Sequence, residues 1–178
     1  SILTDTDFFG GSKEDLTKAR IQQVPILRKD FMVDEYQVYE AKAMGADVIL
    51  LIAACLTPDE VNQLGACAKG LGLEVLLEIH DETELGHISD MVDMVGVNNR
   101  NLKTFEVDIN TSLRLIEQIP AGKPAIAESG ISNVDTIVTL RKAGFSGFLI
   151  GENFMKEPQP SVAFADFIDQ LKAKQNAD

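Results

Sequence analysis

The sequence predicts an α/β fold in which short parallel strands alternate with amphipathic helices. Three observations support this prediction: apolar runs recur at regular spacing, each run is almost continuously apolar, and helix start and stop signals lie between the runs. Strands that are buried on both faces give such runs, and crossover helices set the spacing between them. Repeated β/α units form either a doubly wound open sheet or a closed eight-stranded barrel, and both architectures fit the pattern.

Six apolar runs are the predicted strands, and a stub at residues 1–4 looks like the end of a seventh. The chain opens inside an apolar stretch, which is why the stub is interpreted as a strand end. The runs begin roughly 20 to 30 residues apart, as expected for strands joined by helical crossovers. The six predicted strands are Pro25–Phe31, Asp47–Ala53, Glu74–Ile79, Met94–Val97, Pro124–Ala127 and Gly147–Ile150.

Helix boundaries can be identified between these strands. The Thr-Pro-Asp-Glu segment at 57–60 combines a capping residue, a proline at the first helical position and a glutamate at the third. Weaker start signals of the same kind begin at Ser12 and at Asp81. Gly45 and Gly144 each precede a predicted strand, where a left-handed residue ends a helix.

Length and charge restrict the classes of partner. The 178 residues fit one domain, and a formal net charge of −12 argues against nucleic acid and against anionic lipid. Cys55 and Cys67 lack metal-site spacing, so we expect two reduced thiols in a cytoplasmic protein. A barrel usually needs about 250 residues, so a barrel interpretation requires that one β/α unit and a leading helix lie upstream.

Polar side chains lie near the carboxyl ends of four predicted strands. They are Lys29, Glu78, Asn98 with Arg100, and Glu128. Side chains alternate between the two faces of a strand, and each of these residues shares a face with others two positions away. Any one alone fits an exposed strand end, but four together favour a site, because a barrel builds its active site at this edge. A lysine that faces a glutamate there is typical of general acid–base catalysis.

Two turns with small residues follow the last two predicted strands. Ser129 and Gly130 follow the first of these strands, and Gly151 and Glu152 follow the second. Small residues allow backbone N–H groups to approach an anion, and a helix N-terminus adds a favourable dipole. Each turn alone could be ordinary, but the pair predicts a phosphate site.

Four sequence segments carry a family resemblance: LRKDF at 27–31, NNRNLKTFEVD at 98–108, AESGI and LIGE. With these segments, the chain resembles the indole-3-glycerol phosphate synthase family along nearly its whole length. The first two segments are specific to that family among phosphate-binding barrels, whereas the last two are shared more widely. The resemblance implies an incomplete (β/α)8 TIM barrel, a single domain over residues 1–178 that runs from the end of strand 2 to helix 8. Other similar segments are SILTD at 1–5, FFGGSKEDL at 8–16, GADVILLI at 45–52 and LLEIHDETEL at 76–85.

The resemblance implies a carboxy-lyase of tryptophan biosynthesis that uses no metal and no cofactor. Its substrate, 1-(o-carboxyphenylamino)-1-deoxyribulose 5-phosphate, closes a ring and then loses carbon dioxide and water. Lys29 matches the family's general acid, and Glu78 matches the carboxylate that assists dehydration. The remaining matches are Asn98 as a catalytic residue, Phe31, Arg100, Glu128 and Ser129 in substrate binding, and Gly130, Gly151 and Glu152 in phosphate binding.

The chain departs from the family pattern at its beginning. The family's leading helix, and an opening strand with a Glu-x-Lys pair followed by a Ser-Pro-Ser turn, have no counterpart here. We therefore expect a fragment with very low synthase activity. We also expect its open barrel edges to be closed by a retained N-terminal peptide, a swapped element or self-association.

Two other functions are alternatives to the synthase. One is another phosphosugar barrel enzyme, such as a phosphoribosylanthranilate isomerase or an epimerase. The other is a non-catalytic fragment that binds phosphate without turnover. His80 is expected to be a strand-end histidine without a catalytic part, and Phe8 and Phe9 are expected to pack the loop before the helix near Ser12.

Overall fold

The computed structural model describes residues 1–175, and over this range strands and helices alternate. The strands are β1 Ile2–Leu3, β2 Leu27–Lys29, β3 Val48–Ile52, β4 Glu74–Ile79, β5 Met94–Asn98, β6 Ala125–Glu128 and β7 Gly147–Leu149. The α-helices are α1 Lys13–Ala19, α2 Glu35–Met44, α3 Pro58–Gly70, α4 Asn110–Leu115, α5 Val134–Ala143, α6 Glu152–Met155 and α7 Pro160–Gln175. Short 3₁₀ segments cover Ala53–Cys55, Glu82–His87 and Ile116–Gln118.

Every predicted strand is present, and the stub is the start of the sheet. The observed strands are somewhat shorter than predicted at Pro25 and Pro124, which lie outside β2 and β6. Proline has no backbone N–H to donate to a neighbouring strand, so the ladder begins after it.

The strand order decides between the two architectures that the sequence left open. The strands follow one another in the sheet in chain order, from β1 to β7. A doubly wound sheet reverses its order at a switch point, whereas successive β/α units of a barrel do not. The pairs β1–β2, β2–β3, β3–β4 and β6–β7 are parallel. The winding is therefore that of a TIM barrel.

The chain forms two compact units. The first contains residues 1–96 and 119–123, and the second contains residues 97–118 and the chain from 124 onward. Strand β5 begins in the first unit and ends in the second.

The core of the first unit is built around β3. All five residues of β3 are buried, as expected for a strand covered on both faces. Helix α3 presents a buried stripe that includes Val61, Leu64 and Ala68, spaced at helical intervals. Thr57 caps α3 in a reciprocal capping box with Glu60, which confirms the predicted start of this helix.

Other predicted boundaries are confirmed with one difference. Ser12 caps α1, and Gly45 ends α2 in the left-handed conformation with φ +90°. Asp81 caps a 3₁₀ segment rather than an α-helix. The capping box that begins α2 at Asp34 was not predicted from the sequence.

An aromatic cluster lies between the last two helices of the second unit, in which Phe154 and Phe167 are buried and Phe164 is about half exposed. Phe154 of α6 packs edge-on against Phe164 and Phe167 of α7, with ring centroids 5.3 and 5.4 Å apart. Helix α5 is capped by Asn133 and ends at Gly144, which has φ +119°.

Over residues 1–175, none of the helices combines the length and apolar character needed to cross a bilayer.

Candidate active site

Lys29 and Glu78 meet at the carboxyl ends of two strands of the first unit. Strand β2 ends at Lys29, and Glu78 is the penultimate residue of β4. Leu27 pairs with Val48 and Val48 with Glu74, so the side chains of Lys29 and Glu78 lie on the same face of the sheet. The Lys29 ammonium donates to the Glu78 carboxylate at 3.0 Å. The Glu78 side chain is 3% exposed and that of Lys29 18%, so the pair is largely withdrawn from water.

A histidine and a second glutamate extend this pair. His80 Nε2 lies 3.3 Å from Glu78 Oε1, and His80 Nδ1 lies 3.3 Å from Glu84 Oε2. Burial lowers the pKa of His80, but hydrogen bonds and charges from Glu78 and Glu84 outweigh it and raise the pKa to about 9. The sequence analysis assigned Glu84 no role at the site, because its approach to His80 depends on the 3₁₀ segment after β4.

Three aromatic rings form a cluster, and one of them, Phe9, lies beside Lys29. Phe9 stacks on Phe31 with centroids 4.8 Å apart, and Phe8 meets Phe31 edge-on at 5.4 Å. The Lys29 ammonium is 5.6 Å from the centroid of the Phe9 ring, within the range of a cation–π contact. Phe8 and Phe9 thus contact the predicted wall residue Phe31, whereas the sequence interpretation placed them in loop packing.

In the second unit, the predicted residues Asn98 and Arg100 lie at the end of β5 and just after it, and each makes a side-chain contact. Asn98 ends β5, and its side-chain carbonyl accepts the backbone N–H of Arg100 at 3.0 Å. The Arg100 guanidinium donates to the Glu152 carboxylate at 2.7 Å. The side chain of Glu152 is 78% exposed, so this ion pair is open to water.

Asn99 is a residue that the sequence interpretation missed. It is 2% exposed, and its side-chain N–H donates to the Ser129 carbonyl at 3.1 Å. Its backbone N–H donates to the carbonyl of Glu128 at 2.9 Å, and its side-chain oxygen accepts from Ser112 N at 3.1 Å. Asn99 therefore ties the end of β5 to the turn after β6. One sequence feature could have identified Asn99: it lies on the opposite face from Asn98, and a buried amide side chain needs hydrogen-bond partners.

The two predicted phosphate turns differ in backbone geometry. Ser129 and Gly130 both have positive φ, +64° and +73°. Gly151 caps the short helix α6 with φ −116°, and a side chain there would meet open space. Glu128, just before the first turn, is 2% exposed.

Arg28 centres a buried polar cluster that the sequence interpretation did not include. Arg28 is 1% exposed and donates to the carboxylates of Asp30 and Glu40, both at 2.8 Å. It also donates to the Thr4 hydroxyl at 3.0 Å and to the Gln37 carbonyl at 3.0 Å. The alternation that orients Lys29 places Arg28 on the other face of β2, toward α2.

Two curated proteins resemble this chain in sequence over most of its length. The chain is 52% identical over 173 residues to an indole-3-glycerol phosphate synthase of Bacteroides thetaiotaomicron, covering 97% of this chain and 66% of the relative. It is 46% identical over 168 residues to the enzyme of the same name from Polynucleobacter asymbioticus, covering 93% and 63%. The chain thus spans about two thirds of the length of the curated relatives it matches.

Solved structures that resemble this fold are distant in sequence. The crystal structure of KGPDC from Streptococcus mutans superposes with a TM-score of 0.71 at 17% identity, covering 96% of this chain and 84% of that one. A mutant tryptophan synthase α-subunit from Pyrococcus furiosus gives 0.69 at 20% identity, covering 90% and 72%. Both neighbours are TIM barrels, which confirms the predicted fold class.

One family model matches the chain over most of its length. The model described as indole-3-glycerol phosphate synthase matches residues 1–167, which is most of the chain. Together with the identity to the curated relatives, this match shows that the chain belongs to the indole-3-glycerol phosphate synthase family.

Proposed function

We propose that this chain carries the acid–base machinery of an indole-3-glycerol phosphate synthase. The substrate would be 1-(o-carboxyphenylamino)-1-deoxyribulose 5-phosphate, and the products indole-3-glycerol phosphate, carbon dioxide and water. The observation that carries the proposal is the 3.0 Å contact between Lys29 and the buried carboxylate of Glu78, at the carboxyl ends of β2 and β4. Membership of the family suggests the reaction, and the Lys29–Glu78 pair supplies the acid and the base that this reaction needs.

Lys29 would serve as the general acid of ring closure. The ring carbon that bears the carboxylate attacks the ketone carbon, and the ketone oxygen takes up a proton as the new carbon–carbon bond forms. An ammonium held beside a carboxylate keeps its proton until a more basic alkoxide develops, and it then donates. Loss of carbon dioxide returns the bonding electrons to the ring.

Glu78 would assist the final loss of water. The hydroxyl formed at ring closure leaves with a proton as water, and a proton is removed from the ring system so that the indole becomes aromatic. A carboxylate beside a lysine can accept one proton while its partner donates another. Lys29 regains a proton from solvent after ring closure, because the substrate carboxylate leaves as neutral carbon dioxide and the overall reaction consumes one proton. In the dehydration, the proton that Glu78 accepts balances the proton that Lys29 donates.

The resemblance to the family also suggests roles for further residues of each unit. We assign Asn98 a catalytic part, Arg100, Glu128 and Ser129 substrate contacts, and Gly130, Gly151 and Glu152 phosphate contacts. Phe31 of the first unit would form the apolar wall beside the anthranilate ring. Arg100 can turn from Glu152 toward a ligand at little cost, because an exposed ion pair is worth only about 0–1 kcal/mol.

Indole fluorescence under single-turnover conditions, with the chain in large excess over substrate, tests the proposal, because these conditions can follow even the very low activity that we expect of this chain. Lys29→Met and Glu78→Gln should each lower the rate by about 10²-fold or more, as expected for loss of a general acid or base. Lys13→Met is the matched control, since Lys13 also pairs with a glutamate, at 2.7 Å, but is 54% exposed. It should leave the rate unchanged.

Three outcomes would contradict the proposal. Equal rates in all four proteins would remove Lys29 and Glu78 from the chemistry. Consumption of a phosphosugar without indole formation would favour an isomerase or epimerase. Binding of a phosphorylated ligand without any turnover would favour a non-catalytic phosphate-binding fragment.

Location and self-association belong to the same proposal. We place the enzyme in the cytoplasm, where Cys55 and Cys67 stay reduced.

Within the described sheet, β1 and β7 are the terminal strands, and edge strands offer unpaired backbone groups to another chain. Sedimentation that finds only monomer, free of any added peptide, would contradict self-association.

A further inference from the structure

Both oxygens of the Glu78 carboxylate have a cationic or histidine neighbour. Oε2 accepts from the Lys29 ammonium at 3.0 Å, and Oε1 lies 3.3 Å from Nε2 of His80. A carboxylate held at both oxygens has one orientation, whereas one held at a single oxygen can rotate. His80 Nε2 is buried and has no hydrogen-bond partner of good geometry within residues 1–175, so its 3.3 Å contact with Oε1 is an electrostatic one, and a positive imidazole there favours this orientation of the carboxylate.

His80 is itself held from its other side. Glu84 Oε2 accepts the backbone N–H of His80 at 2.6 Å and lies 3.3 Å from Nδ1 of its ring. Glu84 belongs to the 3₁₀ segment Glu82–His87, which Asp81 caps by accepting the N–H of Thr83 at 2.9 Å. At the end of that segment, His87 Nε2 lies 2.9 Å from the Leu56 carbonyl. The segment is thus anchored at both ends, and the imidazole is fixed between two carboxylates.

We propose that His80 is a positioning residue of the synthase site, which holds the Glu78 carboxylate in place and in its charged form while Glu84 supplies the opposite charge. The proposal rests on the proposed function, in which Glu78 acts on the substrate. His80 acts through Glu78 and has no assigned contact with substrate.

The arrangement of charges gives His80 a task in the reaction. Lys29, Glu78, His80 and Glu84 alternate in sign when the imidazole is protonated, and the raised pKa of His80, about 9, keeps it protonated at neutral pH. When Lys29 turns to the substrate, Glu78 keeps a cationic neighbour at its other oxygen. A buried carboxylate is then not left to take up a proton, which would remove it as a base.

Groups from at least three elements of the first unit face Glu78. Lys29 approaches from β2, the Cys55 thiol from the 3₁₀ segment after β3, and His80 and Glu84 from the chain after β4. Burial and the charges of Glu78 and Glu84 raise the pKa of Cys55, so this thiol stays neutral at neutral pH. His80 is therefore the group whose charge can be removed without touching the acid–base pair.

NMR titration tests the interaction of His80 with Glu78 and Glu84 without any need for turnover. The chain contains two histidines, so His87→Gln leaves a single imidazole to follow. We expect His80 to titrate near pH 9, and Glu84→Gln to lower its midpoint by about one unit or more. In side-chain-labelled protein, His80→Gln should move the titration of the Glu78 carboxylate to higher pH by about one unit. A midpoint for His80 near 6.5, or no change at Glu78, would overturn the proposal.

Kinetics separates positioning from a purely structural role. His80→Gln should lower kcat about tenfold, less than removal of the base itself, and should leave KM within about twofold. The acidic limb of its pH–rate profile should move upward, because Glu78 has lost one cationic neighbour. Lys13→Met, which alters an exposed ion pair outside this segment, should move neither quantity. An unshifted acidic limb would overturn the proposal. Failure of the wild-type chain to form indole would count against the proposed function alone, and the NMR titration would then decide whether His80 positions Glu78.

Discussion

Arg28 and Lys29 are consecutive residues of β2, and they bind carboxylates on opposite faces of the strand. Arg28 donates to Asp30 and Glu40 toward the helical layer, while Lys29 donates to Glu78 on the other face. A single dipeptide thus serves both the outer packing and the candidate site. The two charges can be tested separately, because Arg28 binds Asp30 and Glu40 whereas Lys29 binds Glu78.

Arg28→Met should destabilise the fold by about 3–5 kcal/mol, because it leaves Asp30 and Glu40 without the guanidinium in a buried setting. Asp30 is 6% exposed and would keep only weaker partners such as the Thr4 hydroxyl. Urea unfolding followed by circular dichroism measures the change. Lys13→Met removes the exposed partner of Glu40 and should cost less than about 1 kcal/mol. Similar losses in the two variants would contradict the role assigned to Arg28.

Lys29 and Glu78 should be energetically coupled. Lys29→Met leaves the carboxylate, 3% exposed, with one strong donor fewer and should cost about 2 kcal/mol. The double variant Lys29→Met/Glu78→Gln should cost at least about 1 kcal/mol less than the sum of the single variants. Free energies of unfolding for the four proteins give this coupling directly. Strict additivity would show that the 3.0 Å contact contributes nothing to stability.

His80 should make stability depend on pH in the alkaline range. Its pKa in the folded chain is about 9, above the ordinary value of 6.5, so the folded state binds its proton more tightly than the unfolded state. The resulting stabilisation is complete below pH 6.5 and is lost as the pH rises through 9, a change of about 3 kcal/mol. His80→Gln should lack this slope. Parallel curves for wild type and variant between pH 6 and 10 would show that the shift is absent.

Gly130 should be harder to replace than Gly10, although both have positive φ, +73° and +64°. A Cβ on Gly130 would overlap the Val107 side chain, whereas one on Gly10 would meet nothing within 4 Å. Gly10→Ala should therefore cost about 1 kcal/mol for the left-handed backbone alone. Gly130→Ala should cost at least about 1 kcal/mol more, because the segment that carries Val107 must move. Equal thermal shifts in the two variants would contradict the steric argument.

Much of the candidate site could be predicted because strand ends are local features. Period-2 alternation placed Lys29 and Glu78 on matching faces, and the structure brings these two residues into contact. The same rule implied that Arg28 faces the other way, but it could not name Glu40, which lies on α2. His80 was interpreted as an ordinary strand-end residue, because the position of Glu84 depends on a turn whose 3₁₀ geometry has no clear signature in the sequence.

The sequence by itself determined the β/α alternation, the helix caps at Ser12 and Thr57, and the residue types at the strand ends. These features depend on backbone geometry and side-chain chemistry within a few residues. Only the tertiary structure decided that the strands follow chain order without reversal, and that Glu78 lies between Lys29 and His80. The physical reason is that periodicity specifies which face a side chain occupies, whereas the group that opposes it depends on strand register and on how the loops return.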